Sequence, residues 1–434
     1  MAKTNFQSAR GTKDILPSEQ PYWQHVKKVS EKTLLGLGFD CINTPHFENV
    51  EIFARGIGQD TDIVKKEMFL LEQTSEKEDS LTCALRPENT AGIVRAYIQN
   101  GMASWPQPVR LYYFGAMFRR ERPQKGRFRE FYQLGVEIFS DESAKSDYLA
   151  IMSAWEILNR LGLKNLKVYA NSIGCPACRP KYISKLKKYY KDKVKDLCED
   201  CAERYEKNPL RLLDCKEEKC KQIAKEAPVI LDSLCPTCKK HFQETLEYLD
   251  YFDIKYDLDP TLVRGLDYYT NTVFEIADKT DKLRQNVVGG GGRYNGLVEV
   301  LGGPKTPAVG YSLGIERIVS LMKDQKIKVP AKRGVEVCIL QLGDTAKTVC
   351  KKIYDDLANN DINVYFVPSN DGLRPQIRTA SKLGAKYALI IGQREALKDE
   401  LILRDLEASS QESFPKNAIV EELKRRFDKC KCPD

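Results

Sequence analysis

The 434-residue sequence has no apolar run that approaches the ~20 residues needed to cross a bilayer as a helix. Its opening stretch, MAKTNFQSARGTKD, lacks the apolar core of a secretory signal peptide. It also has no internal repeat, no low-complexity tract and no excess of acidic residues, since its formal net charge is +8. These absences argue against a membrane-spanning or exported protein, so we expect a cytoplasmic globular protein of about two or three domains.

Cysteine, in contrast, is abundant, and fourteen cysteines without an export signal favour thiols or metal ligands over disulfides. Eight of them lie between Cys175 and Thr245. This segment is basic, since it contains 17 Lys and Arg residues but only 12 Asp and Glu residues. The eight are Cys175, Cys178, Cys198, Cys201, Cys215, Cys220, Cys235 and Cys238. Two C-x-x-C pairs can complete a tetrahedral S₄ site, so this set predicts two structural Zn²⁺ ions. Incidental surface cysteines and redox pairs are the alternatives, and spacing does not decide which pairs share an ion.

Helix-like and strand-like segments alternate through the first part of the chain. The predicted helices are Tyr22–Leu35, Glu88–Ile98 and Ile315–Lys323, and the predicted strands are Phe39–Thr44, Tyr256–Val263 and Thr272–Ala277. A strand–helix alternation begins after Pro330 and comprises Val335–Leu342, Ala346–Ala358, Val364–Val367, Ile377–Leu383 and Tyr387–Ile391. We therefore expect a domain over residues 1–325 containing a helical cysteine-rich insertion (171–250), a linker (326–333) and a C-terminal α/β domain (334–434) with a largely parallel sheet.

The most informative segment is Arg110–Ser140. Two apolar runs, Leu111–Phe118 and Phe131–Phe139, flank an arginine-rich stretch interrupted by proline and glycine, which predicts two antiparallel strands joined by a long loop. Gln133 and Glu137 are four residues apart, so both project from one face of the sheet. A solvated arginine-rich hairpin is the simplest alternative. However, aromatic rings between the charges favour stacking on bases and binding of phosphates, which predicts a pocket for a small, partly cationic molecule beside a polyphosphate.

Two further segments place polar groups in unusual surroundings. In ALRPENTAG (84–92), Glu88 and Thr90 lie on a turn that enters a helix, where they can receive an ammonium group or simply cap the helix. In LVRGLDYYTNTVFEI (262–276), Arg264 is bracketed by apolar residues, so its charge needs a partner.

Two glycine-containing segments follow. GGGGRYNGL (289–297) lacks the context of a dinucleotide fingerprint and favours close approach of backbone to a ligand or to a neighbouring strand. AVGYSLGIERI (308–318) leads into a helix that carries Arg317, and an arginine near a helix start favours a phosphate oxygen.

Together and in this order, the segments resemble those of the histidyl-tRNA synthetases, which are class II aminoacyl-tRNA synthetases. The resemblance extends from RGTKDILP (10–17) to the C-terminal α/β unit. FRRERPQKGRFREFYQLGVE is similar to the second motif that defines the class, GYSLGIERI to the third, and the stretch around Pro45 to the first. LVRGLDYY is similar to the segment that sets this family apart. The chain departs from the usual pattern at Asn89, where glycine is usual, and at Asn295, where aspartate is commoner.

The resemblance implies an α+β catalytic domain built on an antiparallel sheet with flanking helices, an anticodon-binding C-terminal domain and a homodimer. It implies that ATP binds with Mg²⁺, that Arg119 and Arg264 face the α-phosphate, and that Phe131 stacks on adenine. Arg317 would bind the far end of the triphosphate, and Glu121 also belongs to the implied ATP site. Arg119 and Arg264 are thus the implied catalytic residues.

The resemblance also implies a histidine site and tRNA contacts. The implied histidine site comprises Glu88, Asn89, Thr90, Gln133, Glu137, Tyr268 and Tyr269. Glu88, Thr90 and Gln133 would receive the amino group, whereas Glu137 and Tyr269 would bind the two nitrogens of the imidazole. Gln124, Arg127 and Arg129 are the implied contacts to tRNA(His). The implied reaction joins L-histidine to ATP as histidyl-adenylate, releases pyrophosphate, and passes the histidyl group to the tRNA.

Two alternatives remain at this point. One is a catalytically idle relative such as the regulatory subunit of ATP phosphoribosyltransferase, which shares the synthetase core but usually lacks the C-terminal domain and the histidine-specific residues. The other is a zinc-dependent nucleic-acid-binding protein, which would explain the basic insertion but not Glu137, Tyr269 or Arg317.

Overall fold

The computed structural model describes residues 6–59, 61–72, 82–121, 127–280, 287–330, 334–366 and 372–429. The chain divides into two compact units, Met1–Val329 and Pro330–Asp434. The strands of the first unit are β1 (Asp40–Cys41), β2 (Phe47–Asn49), β3 (Phe69–Leu70), β4 (Cys83–Leu85), β5 (Val109–Phe118), β6 (Glu130–Phe139), β7 (Leu166–Ser172), β8 (Tyr256–Leu258), β9 (Thr270–Asp278), β10 (Val287–Arg293) and β11 (Ala308–Gly314).

The helices of the first unit are α1 (Gln20–Gly36), α2 (Val50–Ile57), α3 (Thr90–Gln99), α4 (Ala144–Arg160), α5 (Arg179–Tyr190), α6 (Glu199–Lys207), α7 (Glu218–Lys225), α8 (Pro236–Tyr251), α9 (Leu297–Val300) and α10 (Ile315–Asp324). Short 3₁₀ turns add Met102–Ser104, Lys191–Asp196, Pro209–Leu212 and Ile230–Ser233, and Ile63–Glu67 forms a π-helical turn. Across the described residues, no helix is long and apolar enough to span a membrane.

The main sheet of the first unit has the order β1-β5-β6-β11-β10-β9-β7-β8 within the described residues. Its central pairings, from β5 across to β7, are antiparallel, and only the edge strands β1 and β8 pair in parallel. Strands β2, β4 and β3 form a small antiparallel sheet beside it. The predicted antiparallel sheet with flanking helices is therefore confirmed.

The two faces of β6 have different roles because side chains alternate along a strand. Leu134, Val136 and Ile138 are fully buried in the core that α1, α4 and α10 form with the sheet. The residues that alternate with them, including Gln133 and Glu137, project from the opposite face. The predicted hairpin is confirmed, since β5 and β6 pair antiparallel with Leu111 opposite Glu137.

The cysteine-rich insertion is helical, as predicted. Its helices α5 to α8 are joined by short turns rather than strands. Tyr182, Leu186 and Leu212 are buried in the same apolar cluster as Tyr269 and other residues on the open face of the sheet. The insertion therefore packs onto that face instead of standing free of it.

The second unit contains a five-stranded sheet within its described residues. Its elements are α11 (Ala346–Ala358), α12 (Leu373–Lys382), α13 (Gln393–Lys398), α14 (Ile419–Lys429), β12 (Val337–Gln341), β13 (Val364–Phe366), β14 (Tyr387–Ile391), β15 (Glu400–Asp405) and β16 (Gln411–Pro415). The order is β13-β12-β14-β15-β16, with the first two pairings parallel and the last two antiparallel. The α/β class is confirmed, but the expectation of a largely parallel sheet is wrong.

Two predicted strands are shorter than expected. The segment Phe39–Thr44 contains only the two residues of β1, which is an edge strand with a single neighbour. Strand β8 ends at Leu258 because Asp259 starts a turn, in which its carboxylate accepts hydrogen bonds from the backbone N–H and the hydroxyl of Thr261 (3.0 and 2.8 Å). Side-chain bonding of an Asp to the backbone two residues on is a common way to end a strand.

Candidate active site

Glu137 lies on the open face of β6 and is only 1% exposed. Its carboxylate lies across the neighbouring strand β11, where the residue opposite is Gly310. A Cβ atom built on Gly310 would lie 1.9 Å from Glu137 Oε2 and 2.4 Å from the carbonyl oxygen of Val136. Only glycine at position 310 therefore leaves room for the carboxylate.

Two hydroxyl groups donate hydrogen bonds to Glu137. Thr90 Oγ1 donates to Oε1 over 2.8 Å, and the phenol of Tyr294 donates to Oε2. The ring of Tyr294 lies 5.5 Å from that of Tyr268, which in turn lies 4.6 Å from that of Tyr269. The result is a buried carboxyl group beside three aromatic rings, a setting suited to a flat ring that carries polar nitrogens.

Burial raises the pKa of Glu137 to about 8. The hydrogen bonds from Tyr294 and Thr90 favour the ionised form, but the nearby carboxylate of Glu88 adds to the effect of burial. With no ligand bound, this carboxyl group therefore favours its protonated form near neutral pH. A bound cation or N–H donor would shift it toward the carboxylate, because opposite charge and donated hydrogen bonds lower a carboxyl pKa.

Glu88 lies two residues before the start of α3 and is also buried. Its two oxygens accept hydrogen bonds from the backbone N–H groups of Thr90 (2.8 Å) and Ala91 (2.9 Å). Burial raises its pKa, whereas these two N–H groups lower it. Glu88 therefore caps α3, as the sequence indicated was possible. The same carboxylate lies close enough to Glu137 to raise the pKa of Glu137.

The side-chain oxygen atoms of Gln133 and Asn89 differ in whether they have hydrogen-bond partners. The Oε1 atom of Gln133 is buried and has no hydrogen-bond partner within the part of the chain that the structure describes. Because buried polar atoms are nearly always paired, such an atom on the face of Glu137 indicates a position for a ligand donor. Asn89 instead accepts hydrogen bonds through Oδ1 from Thr44 (2.6 Å) and Arg86 (3.2 Å).

Arg119 follows directly after β5. Its Nε donates to the carbonyl oxygen of Pro87 over 2.8 Å, and its Cζ lies 5.2 Å from the ring centre of Phe131 on the partner strand. The carboxylate of Glu121 lies 3.7 Å from one of its terminal nitrogens. Arg119 and Phe131 thus present a cation beside an aromatic face, which suits a phosphate next to a base.

Arg264 lies in the loop before β9 and pairs with Glu275 on that strand. Burial opposes its charge, but Glu275 and Tyr269 outweigh burial, so the pKa of the guanidinium is raised above its usual value. Its Nε atom is buried with no partner among the described residues. A Cβ on Gly290 would lie 3.0 Å from Arg264 Nη1 and 2.4 Å from the carbonyl oxygen of Phe274, so glycine in β10 gives the arginine space.

Arg317 lies in the first turn of α10 and donates to the carbonyl oxygen of Val287. Burial lowers its pKa, and the positive charge of Arg119 lowers it further, whereas Glu275 raises it. Glu275 is also the ion-pair partner of Arg264. Glu275 therefore acts on both Arg264 and Arg317, and Arg119 lies close enough to Arg317 to affect its pKa. The three arginines come from distant parts of the chain.

The loop after β5 contains the residues predicted to contact tRNA. Arg127 pairs with the carboxylate of Glu121 over 2.9 Å. Arg129 donates from its backbone N–H to the carbonyl oxygen of Gly11 over 2.7 Å. Gln124 lies outside the described residues.

Tyr294 is a site residue for which the sequence suggested no role. Its neighbour Arg293 is fully buried and pairs with the equally buried Asp147 of α4. Burial opposes the charge of Asp147, but Arg293 and His241 outweigh it and lower its pKa to about 2. This ion pair fixes the end of β10 and, with it, the position of the tyrosine that donates to Glu137. Nothing in the local sequence indicates these long-range partners.

The structure groups the eight cysteines of the insertion into two sets of four. One set is Cys175, Cys178, Cys235 and Cys238, and the other is Cys198, Cys201, Cys215 and Cys220. The Sγ atoms of each set lie within 4.8 Å of one another. These two sets are called the first and the second cysteine cluster below.

The distances within the clusters fit a metal better than a disulfide. The Sγ–Sγ separations are 3.6 Å (Cys175–Cys178), 3.8 Å (Cys178–Cys238) and 3.7 Å (Cys198–Cys215). Sulfurs at the corners of a tetrahedron with ~2.3 Å Zn–S bonds lie about 3.8 Å apart, whereas a disulfide needs ~2.05 Å. Backbone N–H groups also point at the sulfurs, as from Cys235 to Cys178 (3.1 Å). Both clusters therefore have the ligand type and spacing of a structural Zn²⁺ site.

Comparisons with known proteins agree with this geometry. The profile of the family described as Histidyl-tRNA synthetase matches residues 11–318, and that of the family described as Anticodon binding domain matches residues 336–426. The chain is 44% identical over 417 residues to the histidine--tRNA ligase of Desulforamulus reducens, covering 96% of this chain and 98% of the relative. It is 43% identical to that of Pelotomaculum thermopropionicum, covering 96% of this chain and 97% of the relative.

Solved structures give the same result. The apo histidyl-tRNA synthetase of S. aureus superposes with a TM-score of 0.79 at 31% identity, covering 97% of this chain and all of that one. A Bacillus halodurans protein described as an ATP phosphoribosyltransferase regulatory subunit/histidyl-tRNA synthetase has a TM-score of 0.62 at 21% identity, covering 89% and 98%, and shows the fold alone. The resemblance found in the sequence is therefore confirmed, and the chain belongs to the histidyl-tRNA synthetase family.

Proposed function

We propose that this protein is a histidine–tRNA ligase, which activates L-histidine with ATP and transfers it to the 3′ end of tRNA(His). The observation that carries the proposal is the buried carboxyl of Glu137, which lies among hydroxyl groups and aromatic rings. Arg264, one of the three arginines, lies 5.9 Å from the ring centre of Tyr269 in the same group of tyrosines. The pocket matches an imidazole, and the arginines match a triphosphate. The high identity to histidine–tRNA ligases over the whole chain supports the same assignment.

In the histidine site, Glu137 and Tyr269 bind the two nitrogens of the imidazole, and Tyr268 closes the aromatic wall. Glu88, Thr90 and Gln133 receive the ammonium group, which would satisfy the buried and unpaired Oε1 atom of Gln133. Asn89, predicted in the same group, is engaged by Thr44 and Arg86 and would support the turn that carries Glu88. The pocket therefore selects by hydrogen bonding, which rejects analogues that lack a ring nitrogen.

In the ATP site, Phe131 stacks on adenine and Arg317 binds the far end of the triphosphate. An oxygen of the histidine carboxylate attacks the α-phosphorus, the bond to the bridging oxygen of the β-phosphate breaks, and pyrophosphate leaves. Arg119 and Arg264 stabilise the charge that develops at the α-phosphate, so no nucleophile on the protein is needed. Mg²⁺ would enter with ATP and neutralise phosphate charge, and Glu121, a carboxylate beside Arg119, fits its preference for oxygen ligands.

In the second step, a hydroxyl of the terminal ribose of tRNA(His) attacks the carbonyl carbon of histidyl-adenylate, and AMP leaves. Gln124, Arg127 and Arg129 would contact the acceptor end, because they follow Arg119 closely in the sequence. The second unit would contact the anticodon, as the matched family description suggests. We further propose a cytoplasmic homodimer, with the stretch around Pro45 at its interface, and one Zn²⁺ in each cysteine cluster.

The direct test is ATP–pyrophosphate exchange measured separately with each of the twenty amino acids and without tRNA. We expect exchange with histidine and exchange at least about 10³-fold slower with the others, since buried polar groups left unpaired penalise a wrong ligand strongly. Absence of histidine-dependent exchange by a folded protein, or equal exchange with another amino acid, would refute the proposed function.

A further inference from the structure

The segment from Arg264 to Asn271 carries much of the proposed site, yet all of it except its last two residues, which begin β9, is a loop. The described contacts show that the cysteine-rich insertion holds this segment at both ends. We name it the arginine–tyrosine segment, because it contains Arg264, Tyr268 and Tyr269. Its backbone, rather than its side chains, receives most of these contacts.

The stretch of chain between two ligands of the second cysteine cluster donates hydrogen bonds to the beginning of the segment. Arg211 donates from Nη1 to the carbonyl oxygen of Arg264 over 3.3 Å. Asn208 donates from Nδ2 to Oδ1 of Asp267 over 2.8 Å. Both donors lie on the stretch of chain between two ligands of the cluster, Cys201 and Cys215, so a metal ion there would close the loop that presents them.

The first cysteine cluster holds the end of the segment. Arg179, which follows Cys178 directly, donates to the carbonyl oxygen of Tyr269. Asn271 donates from Nδ2 to the sulfur of Cys238 over 3.8 Å and from its backbone N–H to the carbonyl oxygen of Gly174 over 3.1 Å. Each cluster therefore lies within a few residues of a donor to the segment.

We propose that the insertion is a metal-stabilised support for the activation step, in which Asn208, Arg211 and Arg179 are positioning residues that act through the arginine–tyrosine segment. The inference rests on the proposed function and deepens it. An insertion that served only to bind tRNA would not affect a reaction carried out without tRNA. A support for Arg264 and Tyr269 must affect it, because small misplacements of reacting groups cost much of the rate.

The metal-binding part is tested on the full-length protein by elemental analysis and by chelation. We expect two equivalents of zinc per chain, a fall of about tenfold or more in tRNA-free histidine-dependent exchange after chelation, and recovery on adding Zn²⁺. Hydrogen exchange of the backbone N–H groups over residues 264–271 should rise after chelation and fall again with the metal. Less than one equivalent of zinc, or unchanged exchange kinetics after its removal, would overturn the proposal.

The positioning part is tested with variants that leave every cysteine in place. We expect Asn208→Ala and Arg211→Ala to lower kcat of histidine-dependent exchange by about 10- to 100-fold at unchanged zinc content, because they loosen Arg264. Arg179→Ala should mainly raise KM for histidine, because it contacts the backbone of Tyr269. Asn208→Asp keeps the size but sets a carboxylate against Asp267, so it should be slower than Asn208→Ala.

The matched control is Lys188→Ala, which removes an exposed charge from α5 of the same insertion. It should leave tRNA-free exchange unchanged. If the unmodified protein exchanges histidine and the Asn208 and Arg211 variants match it, the positioning proposal fails while the proposed function stands. If the unmodified, zinc-loaded protein shows no histidine-dependent exchange, the proposed function itself fails.

Discussion

Glu137 and Gly310 act as a pair, because the carboxylate occupies the volume in which any larger residue at position 310 would place its Cβ. We predict that Gly310→Ala displaces the carboxylate and raises KM for histidine about tenfold or more, while KM for ATP changes little. Gly296→Ala is the control, since a Cβ there meets no atom within 4 Å. Steady-state exchange kinetics measure both constants, and an unchanged histidine KM in Gly310→Ala would contradict this account of the pocket.

The raised pKa of Glu137 predicts a pH dependence of stability. Because the pKa is about 8 in the folded chain and near its ordinary value of about 4.3 in the unfolded one, only the unfolded state ionises freely as pH rises between these values. This group therefore lowers stability progressively from about pH 5 to about pH 8, and the effect is constant above that.

Glu137→Gln removes this titration. Without ligands, the thermal midpoint of the variant relative to the unmodified protein should rise by a few degrees between about pH 5 and about pH 8. A difference in midpoint that is the same at both pH values would show that the carboxyl is not held neutral in the ligand-free protein.

The alternation of side chains along a strand is sufficient to predict that Gln133 and Glu137 share one face of the sheet. It does not indicate that Tyr294 donates to Glu137, because these residues are 157 positions apart and no local pattern joins them. For the same reason, the sequence does not show which cysteines share a cluster. Spacing identifies pairs, but only the folded chain shows which pairs share a site, because it brings the start of α5 to the start of α8 and α6 beside its neighbouring turns.

At the scale of elements, a buried ion pair ties α4 to the end of β10. Asp147→Asn would leave Arg293 buried with an uncompensated charge, so we predict a loss of about 3–5 kcal/mol in the free energy of unfolding. The control is Asp257→Asn, whose exposed pair with Lys167 should contribute at most about 1 kcal/mol. Urea unfolding compares the two, and similar small losses in both would contradict a structural role for the buried pair.

Some helices and strands were predicted with the correct bounds and others were missed. Buried elements carry a clear apolar pattern in the sequence, whereas exposed ones do not. Helix α11 and strand β14 match their predicted ranges, since apolar residues recur with helical spacing along α11 and form a continuous buried run along β14. Strand β16 was missed because it is a largely exposed edge strand without apolar alternation. Strand β15 was not predicted either, and the expectation of a largely parallel sheet is wrong because β15 and β16 supply the antiparallel half of that sheet.

At the scale of the whole molecule, the proposed chemistry depends on convergence. Arg119 follows β5, Arg264 precedes β9, and Arg317 lies in the first turn of α10. The neighbouring strands β6, β11, β10 and β9 bring these elements together. The strand order that achieves this is not readable from one sequence by periodicity. It could be anticipated only because the order of the segments resembles that of a known family.

The most direct measurement is tRNA-free, histidine-dependent ATP–pyrophosphate exchange by Arg264→Ala, compared with Arg160→Ala on the exposed surface of α4. Because Arg264 would stabilise charge at the α-phosphate, the account predicts a loss of about 10²–10³ in rate for Arg264→Ala at a preserved fold, and no change for Arg160→Ala. A folded Arg264→Ala protein that exchanges at close to the unmodified rate would contradict the account.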